Sequence, residues 1–266
     1  MQISTFTPDD IHPFLDLAKD EGWISHRREL AFLLERSPEG CLVCHEEGTP
    51  VGFVTAIRHG RTGWIGNLLV STINRGRGIG SSLFRQAMEV LKRSGVVTVW
   101  LTASAAGRPI YERNGFHGCD RIRRWERPGN QPERRERTRE LQADWQAIDY
   151  LGWGDARTEL LEYAASNGTA IGGDEGFLMV QPLGDGHQIG PFGALNHGVA
   201  EGLLATTLAN AGQMVLDVPA ANRAAGRLLT SHGFTVDSEV DLMYAGQPPA
   251  YHPEHIFGLA SMGSMG

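Results

Sequence analysis

The feature that most constrains this chain is a passage from an apolar strand through a glycine-rich turn directly into an amphipathic helix: Leu68-Leu69-Val70-Ser71-Thr72-Ile73-Asn74-Arg75-Gly76-Arg77-Gly78-Ile79-Gly80-Ser81. Glycines at alternate positions leave no Cβ in the path of an approaching diphosphate, and the helix that follows aims its unpaired N–H groups and positive dipole end at the same place. Arg75 and Arg77 add guanidinium forks on either side. Other nucleotide folds fit less well. A dinucleotide fingerprint needs Gly-x-Gly-x-x-Gly with an acid about 20 residues on, whereas Ser81 takes the third glycine position and no acid stands near Trp100. A P-loop needs Gly-Lys-Ser/Thr, which does not follow. A methyltransferase-like acid-x-Gly-x-Gly-x-Gly has Asn74 where its carboxylate belongs, and the arginines favour a phosphate ligand over an uncharged sugar.

The spacing Arg-x-x-Gly-x-Gly, carried by Arg75, Gly78 and Gly80, resembles the acetyl-CoA signature of the GNAT superfamily of N-acetyltransferases. The flanking pattern agrees. A strand at 1–5, two helices at 11–18 and 27–34, strands at 41–44, 51–57 and 64–70, the turn helix at 79–93, a strand at 96–103, a short helix at 107–113 and a strand from Phe116 follow the order of that fold. A second motif, Ser104-Ala105-Ala106-Gly107-Arg108-Pro109-Ile110-Tyr111-Glu112-Arg113-Asn114-Gly115-Phe116, resembles the family's Tyr-x-x-x-Gly-Phe region. The fold class expected is therefore α/β with a mixed α+β sheet.

The resemblance implies acetyl-CoA as co-substrate and no metal. It places the backbone of Leu68, Leu69 and Val70 against the pantetheine amides. Arg75, Gly76, Arg77, Gly78, Ile79, Gly80 and Ser81 would hold the diphosphate, with Ser104, Arg108 and Tyr111 also on the cofactor side. The chemistry implied is direct attack of a small-molecule primary amine on the thioester, the N–H of Leu68 or Leu69 polarising the carbonyl and Tyr111 delivering a proton to the departing thiolate. The strand 64–67 carries no carboxylate, so Glu21 or His45 is the candidate base, or a base acts through water. The alternative is a non-catalytic acyl-CoA-binding module.

Composition bounds the rest. At 266 residues and 41% hydrophobic the chain can build one large or two modest domains, and its net charge of −7 argues against general nucleic-acid or anionic-membrane binding. No apolar run approaches the ~20 residues of a membrane span and the start has no leader character, so a cytoplasmic monomer or homodimer is expected. Three cysteines make no disulfide framework. Cys41 and Cys44 lie on a strand at an odd separation, which reads as packing and not as a redox or zinc pair. A catalytic domain is expected over 1–126 and a charged linker over 127–144. A degenerate copy follows over 145–266, where Asn222-Arg223-Ala224-Ala225-Gly226-Arg227-Leu228-Leu229-Thr230-Ser231-His232-Gly233-Phe234 repeats the plan of 104–116. That copy has Gly190-Pro191-Phe192-Gly193-Ala194-Leu195-Asn196-His197 in place of the arginine-glycine turn, and Leu229 in place of Tyr111, so it is not expected to hold CoA. Asp149, Asp155, Arg157 and Asp217 read as structural, and Pro253 spoils metal-ligand spacing for His252 and His255.

Overall fold

A computed structural model describes residues 1–129, 143–208 and 212–266; most of the charged linker expected at 127–144 lies outside the described residues. The chain forms two compact units, Met1–Val99 with Met265, and Trp100–Ser264 with Gly266.

In the first unit, β1 (Gln2–Thr5) is followed by α1 (Ile11–Asp20) and α2 (Arg27–Arg36), then by β2 (Leu42–Glu46), β3 (Thr49–Arg58) and β4 (Thr62–Val70), and finally by α3 (Ile79–Arg93). The strands pair antiparallel in the order β1-β2-β3-β4. Thr7 and Asp10 start the first helix with a reciprocal capping box, the Thr7 N–H donating to the Asp10 carboxylate at 2.9 Å. Phe6, Phe14 and Phe53 form an aromatic core, Phe14 edge-on to Phe53 with centroids 5.4 Å apart. α3 buries Ile79, Leu83, Phe84, Ala87 and Leu91, the face its 3.6-residue period sets out. It comes close to β3 because Gly52 has no side chain: a Cβ there would lie 3.0 Å from Ile79 Cγ2 and 3.1 Å from Leu83 Cδ1.

β5 (Thr98–Ala103) carries the chain into the second unit, which continues through α4 (Arg108–Glu112), β6 (His117–Arg127), α5 (Ala143–Trp153), α6 (Thr158–Asn167), β7 (Thr169–Gly173), β8 (Gly176–Leu183), β9 (Gly186–Ala194), α7 (His197–Leu208), β10 (Met214–Pro219), α8 (Arg223–Ser231), β11 (Thr235–Gly246) and β12 (Ile256–Gly258). Alternation along β8 feeds two cores. Phe177 and Met179 pack with Trp145, Ile148 and Leu161 of α5 and α6, and Leu178 and Val180 pack with Leu204, Leu228 and Leu229 of α7 and α8.

The strand order here is β5-β11-β6-β10-β9-β8-β7. β6, which sequence order groups with the first copy, pairs antiparallel with both β10 and β11 of the second, and β11 lies between β6 and β5. The two copies thus exchange their last strands. Ion pairs lock the exchange: Arg124 of β6 makes two hydrogen bonds of 2.9 Å to the Asp217 carboxylate of β10, and Arg121 and Arg123 both grip Glu239 of β11. Trp100 of β5 packs edge-on against Trp153 and beside Tyr244 of β11 and Tyr251. Asp149 and Arg157 form a buried bidentate pair at 2.9 and 2.6 Å.

Candidate functional site

The glycine-rich turn is built from the end of β4. Between Phe53↔Leu69 and Thr55↔Gly66 the ladder slips by one, so Asn67 and Leu68 together face Val54. This is a β-bulge, and Asn67 takes the left-handed conformation it requires at φ 54°. Asn is among the few residues that tolerate that region, and its Nδ2 donates to Thr55 Oγ1 at 3.1 Å, which pins the distortion. The half-buried Leu68 shares Val54 with Asn67 and so has no one-to-one partner on β3, while Leu69 points into the core. The dipeptide Gly66-Asn67 is the sequence signal of this bulge.

Beyond Val70 one turn of 3-10 helix, Thr72–Asn74, leads to the glycines. Asn74 is buried, its Nδ2 donating to Ser71 Oγ at 2.9 Å and its Oδ1 accepting from Arg77 at 2.7 Å. Gly76 and Gly78 have φ of 76° and 82°, and a Cβ on either would meet nothing within 4 Å. Their lack of a side chain therefore serves backbone conformation and keeps the space outside the turn open. Gly78 is the N-cap of α3 and no side chain caps that end, so the first N–H groups and the dipole are left for a ligand. The residues present fit a diphosphate.

Both arginines of the turn are held by carboxylates. Arg75 donates through Nε to the Val70 carbonyl at 3.0 Å and through Nη2 to Glu21, which also accepts from Thr72 Oγ1 at 3.3 Å. Arg77 forks onto both oxygens of Glu46 at the end of β2. The Arg75 hydrogen bond holds the Glu21 carboxyl below the ordinary carboxylate range, against the partial desolvation that would raise it. A lowered pKa is the opposite of what a general base needs. His45 lies 3.3 Å from Asp10 Oδ1.

The second motif lies in the other unit. Ser104 Oγ accepts from the Gly107 N–H at 3.2 Å just before α4, and Gly115, at φ 82°, turns the chain after that helix. Arg108 is tied to Glu112 at 2.8 Å and to Asp241 at 3.1 Å. Tyr111 packs beside Phe116, ring centroids 6.1 Å apart, and burial pushes its phenol up to about 12. Cys41 is buried and its thiol likewise raised to about 12, which suits packing.

The second copy handles the equivalent places differently. β9 and β10 pair in parallel only at Met214↔His187 and Val215↔Gln188, then part. β12 enters the wedge, pairing Ile256↔Gly193 and Gly258↔Phe192 on β9, while the Leu259 N–H donates to the Asp217 carbonyl at 2.9 Å. Amide side chains fix the segment: Gln181 donates to Ala260 O at 2.9 Å and Asn222 to Ile256 O at 2.9 Å. A Cβ on Gly190 would lie 1.8 Å from Leu259 O, so the fit admits only glycine there. Asn196 Oδ1 accepts from the Val199 N–H at 3.0 Å and closes the N-terminal end of α7. The strand gap and the helix end that a cofactor would use are both occupied by the chain itself. Neither β12 nor these caps had a signal in the sequence beyond the asparagines. Among the described residues no group of three or more His, Cys, Asp or Glu could hold a metal ion, and no helix is long and apolar enough to cross a membrane.

A bulged strand that opens onto an uncapped, arginine-flanked glycine turn defines the class of α/β proteins whose strand-to-helix junction has room and charge for a phosphorylated ligand. Residues 5–116 match the acetyltransferase (GNAT) family model, and residues 146–258 match a second model described as an acetyltransferase (GNAT) domain. The chain belongs to the GNAT acetyltransferase family, with two such domains in tandem. It is 30% identical over 149 residues to an uncharacterised N-acetyltransferase of Methanocaldococcus jannaschii, a match that spans 46% of this chain and 63% of that relative's length. A provisionally named acetyltransferase of Pyrococcus horikoshii has a crystal structure that superposes with a TM-score of 0.87 at 26% identity, covering 100% of this chain and 95% of the other. A GCN5-related N-acetyltransferase of Sphaerobacter thermophilus shares the fold at a TM-score of 0.63 and 15% identity, over 97% and 98% of the two chains.

Proposed function

We propose that this protein transfers the acetyl group of acetyl-CoA to a primary amine of a small molecule. The observation that carries the reading is the turn at residues 75–81: two left-handed glycines with open space outside them, two arginines, and a helix end with no cap of its own. The diphosphate is held by the N–H groups of this turn, and Arg75 and Arg77 exchange Glu21 and Glu46 for phosphate oxygens. Exposed carboxylate pairs are worth only about 0–1 kcal/mol each, so the exchange is easy. The bulge at Asn67 and Leu68 supports a role for the Leu68 N–H as donor to the thioester carbonyl.

In the reaction the amine lone pair attacks the carbonyl carbon, a C–N bond forms, the C–S bond breaks, and the sulfur leaves as thiolate. Tyr111 is the proton donor of this scheme. A phenol pushed up to about 12 by burial is a weaker acid than a thiol, so full transfer of its proton to the departing thiolate is uphill. Tyr111 therefore aids departure mainly by hydrogen bonding to the sulfur. With Glu21 engaged by Arg75, the proton of the attacking amine leaves through water. The test is release of free CoA thiol from acetyl-CoA across a panel of small primary amines. Release that depends on one class of amine supports the reading. Binding of acetyl-CoA without acceptor-dependent release favours the acyl-CoA sensor instead, and S-adenosylmethionine binding in its place would overturn both.

A further inference from the structure

A second, separate cleft of about 540 Å³ lies in the second unit between one edge of α8 and the face of β6. That is the size of a site for a small organic ligand. Its floor is apolar, made by Trp125 of β6 with Val218 and Pro219 of β10, and its rim carries Arg123, Arg223 and Arg227. Arg123 is engaged through Nε with Glu239 at 2.8 Å. Arg223 and Arg227 are exposed, one helical turn apart, and neither makes an ion pair among the described residues. In the same unit Arg124 is matched to Asp217 and Arg157 to Asp149.

Both unmatched arginines stand where helix physics disfavours them. Arg223 is the first residue of α8, at the positive end of its dipole, and a like-charged neighbour four residues on repels it. Two local rules broken on the rim of one cavity, in a chain of net charge −7, mark a place kept for an anion.

We propose that this cleft binds an organic phosphate, the phosphoryl oxygens taken by Arg223 and Arg227 and the apolar portion laid on Trp125. The site is independent of the turn at 75–81 and does not rest on the acetyl-transfer reading. It also differs from the gap between β9 and β10, which β12 fills.

The experiment titrates the full chain with phenyl phosphate by calorimetry, using the parent, Arg223→Gln/Arg227→Gln, Arg223→Lys/Arg227→Lys and Arg75→Gln, with phenol as the uncharged probe. The parent should bind saturably below about 10 mM, the glutamine pair at least about ten-fold more weakly, and the lysine pair in between, since lysine keeps the charge but not the fork. Arg75→Gln should bind within about two-fold of the parent and phenol at least about ten-fold more weakly than phenyl phosphate. The glutamine pair should melt at or above the parent temperature, because it removes a repulsion. Absence of saturable binding to the parent, equal binding by the glutamine pair or by phenol, or loss confined to Arg75→Gln would overturn the proposal.

Discussion

Gly78 separates folding from cofactor binding at one atom. At φ 82°, with nothing within 4 Å of the point where a Cβ would stand, replacement by glutamine meets no steric wall and incurs only the left-handed penalty, about 1–2 kcal/mol. At roughly 2–4 °C per kcal/mol for a chain of this size, melting should drop by about 2–8 °C. Gly78→Glu has nearly the same shape and the same backbone cost, but sets a carboxylate at the N-terminus of α3, where it is favourable by about 0.3–1 kcal/mol. The glutamate variant should therefore melt at or slightly above the glutamine variant. Binding should go the other way. A unit negative charge about 4 Å from a phosphate costs about 4 kcal/mol at an effective dielectric of 20 and about half that with solvent access, so acetyl-CoA should bind Gly78→Glu some 30- to 1000-fold more weakly than Gly78→Gln. Calorimetry with acetyl-CoA and thermal melts on both proteins decide it. Equal affinities in two folded variants would refute the placement of the diphosphate at this turn.

Tyr111→Phe keeps the ring beside Phe116 and removes the hydroxyl, so turnover should fall about 10²–10³-fold with acetyl-CoA affinity unchanged; steady-state kinetics showing less than about a two-fold loss would remove Tyr111 from the departure of the thiolate. Glu21→Gln frees Arg75 and should tighten acetyl-CoA by up to about five-fold with kcat preserved, whereas a hundred-fold fall in kcat would make Glu21 the base. Because β12 fills the gap between β9 and β10, calorimetry should give one acetyl-CoA per chain, and a stoichiometry of two would contradict the asymmetry between the copies.

The sequence showed those features whose cause is local. The helix face of α3 and the turn glycines depend on residues close in the chain, and each stands where its periodicity or turn chemistry placed it. The partners of the turn arginines did not show, because Glu21 and Glu46 reach Arg75 and Arg77 only after α1 and β2 have packed. The exchange of β6 and β11 was invisible for a related reason. Alternation fixes which face of a strand is buried and is indifferent to which strands flank it. β12, three residues between loops, is too short for any period to register.

The exchange of last strands also sets a schedule for synthesis. β6 leaves the ribosome well before its neighbours exist: Arg127 pairs with Met214, 87 residues later, and His117 with Tyr244, 127 residues later. At about 5–20 residues per second that is a wait of roughly 4–25 s with both edges of a strand open. The composition of β6 suits the wait, since its eleven residues, HGCDRIRRWER, include four arginines, and charge is what keeps an open edge from pairing with a stranger. The same side chains then close the sheet, when Asp217 and Glu239 arrive on β10 and β11 to receive them. One set of charges thus guards the strand while it is alone and selects its partners when they appear.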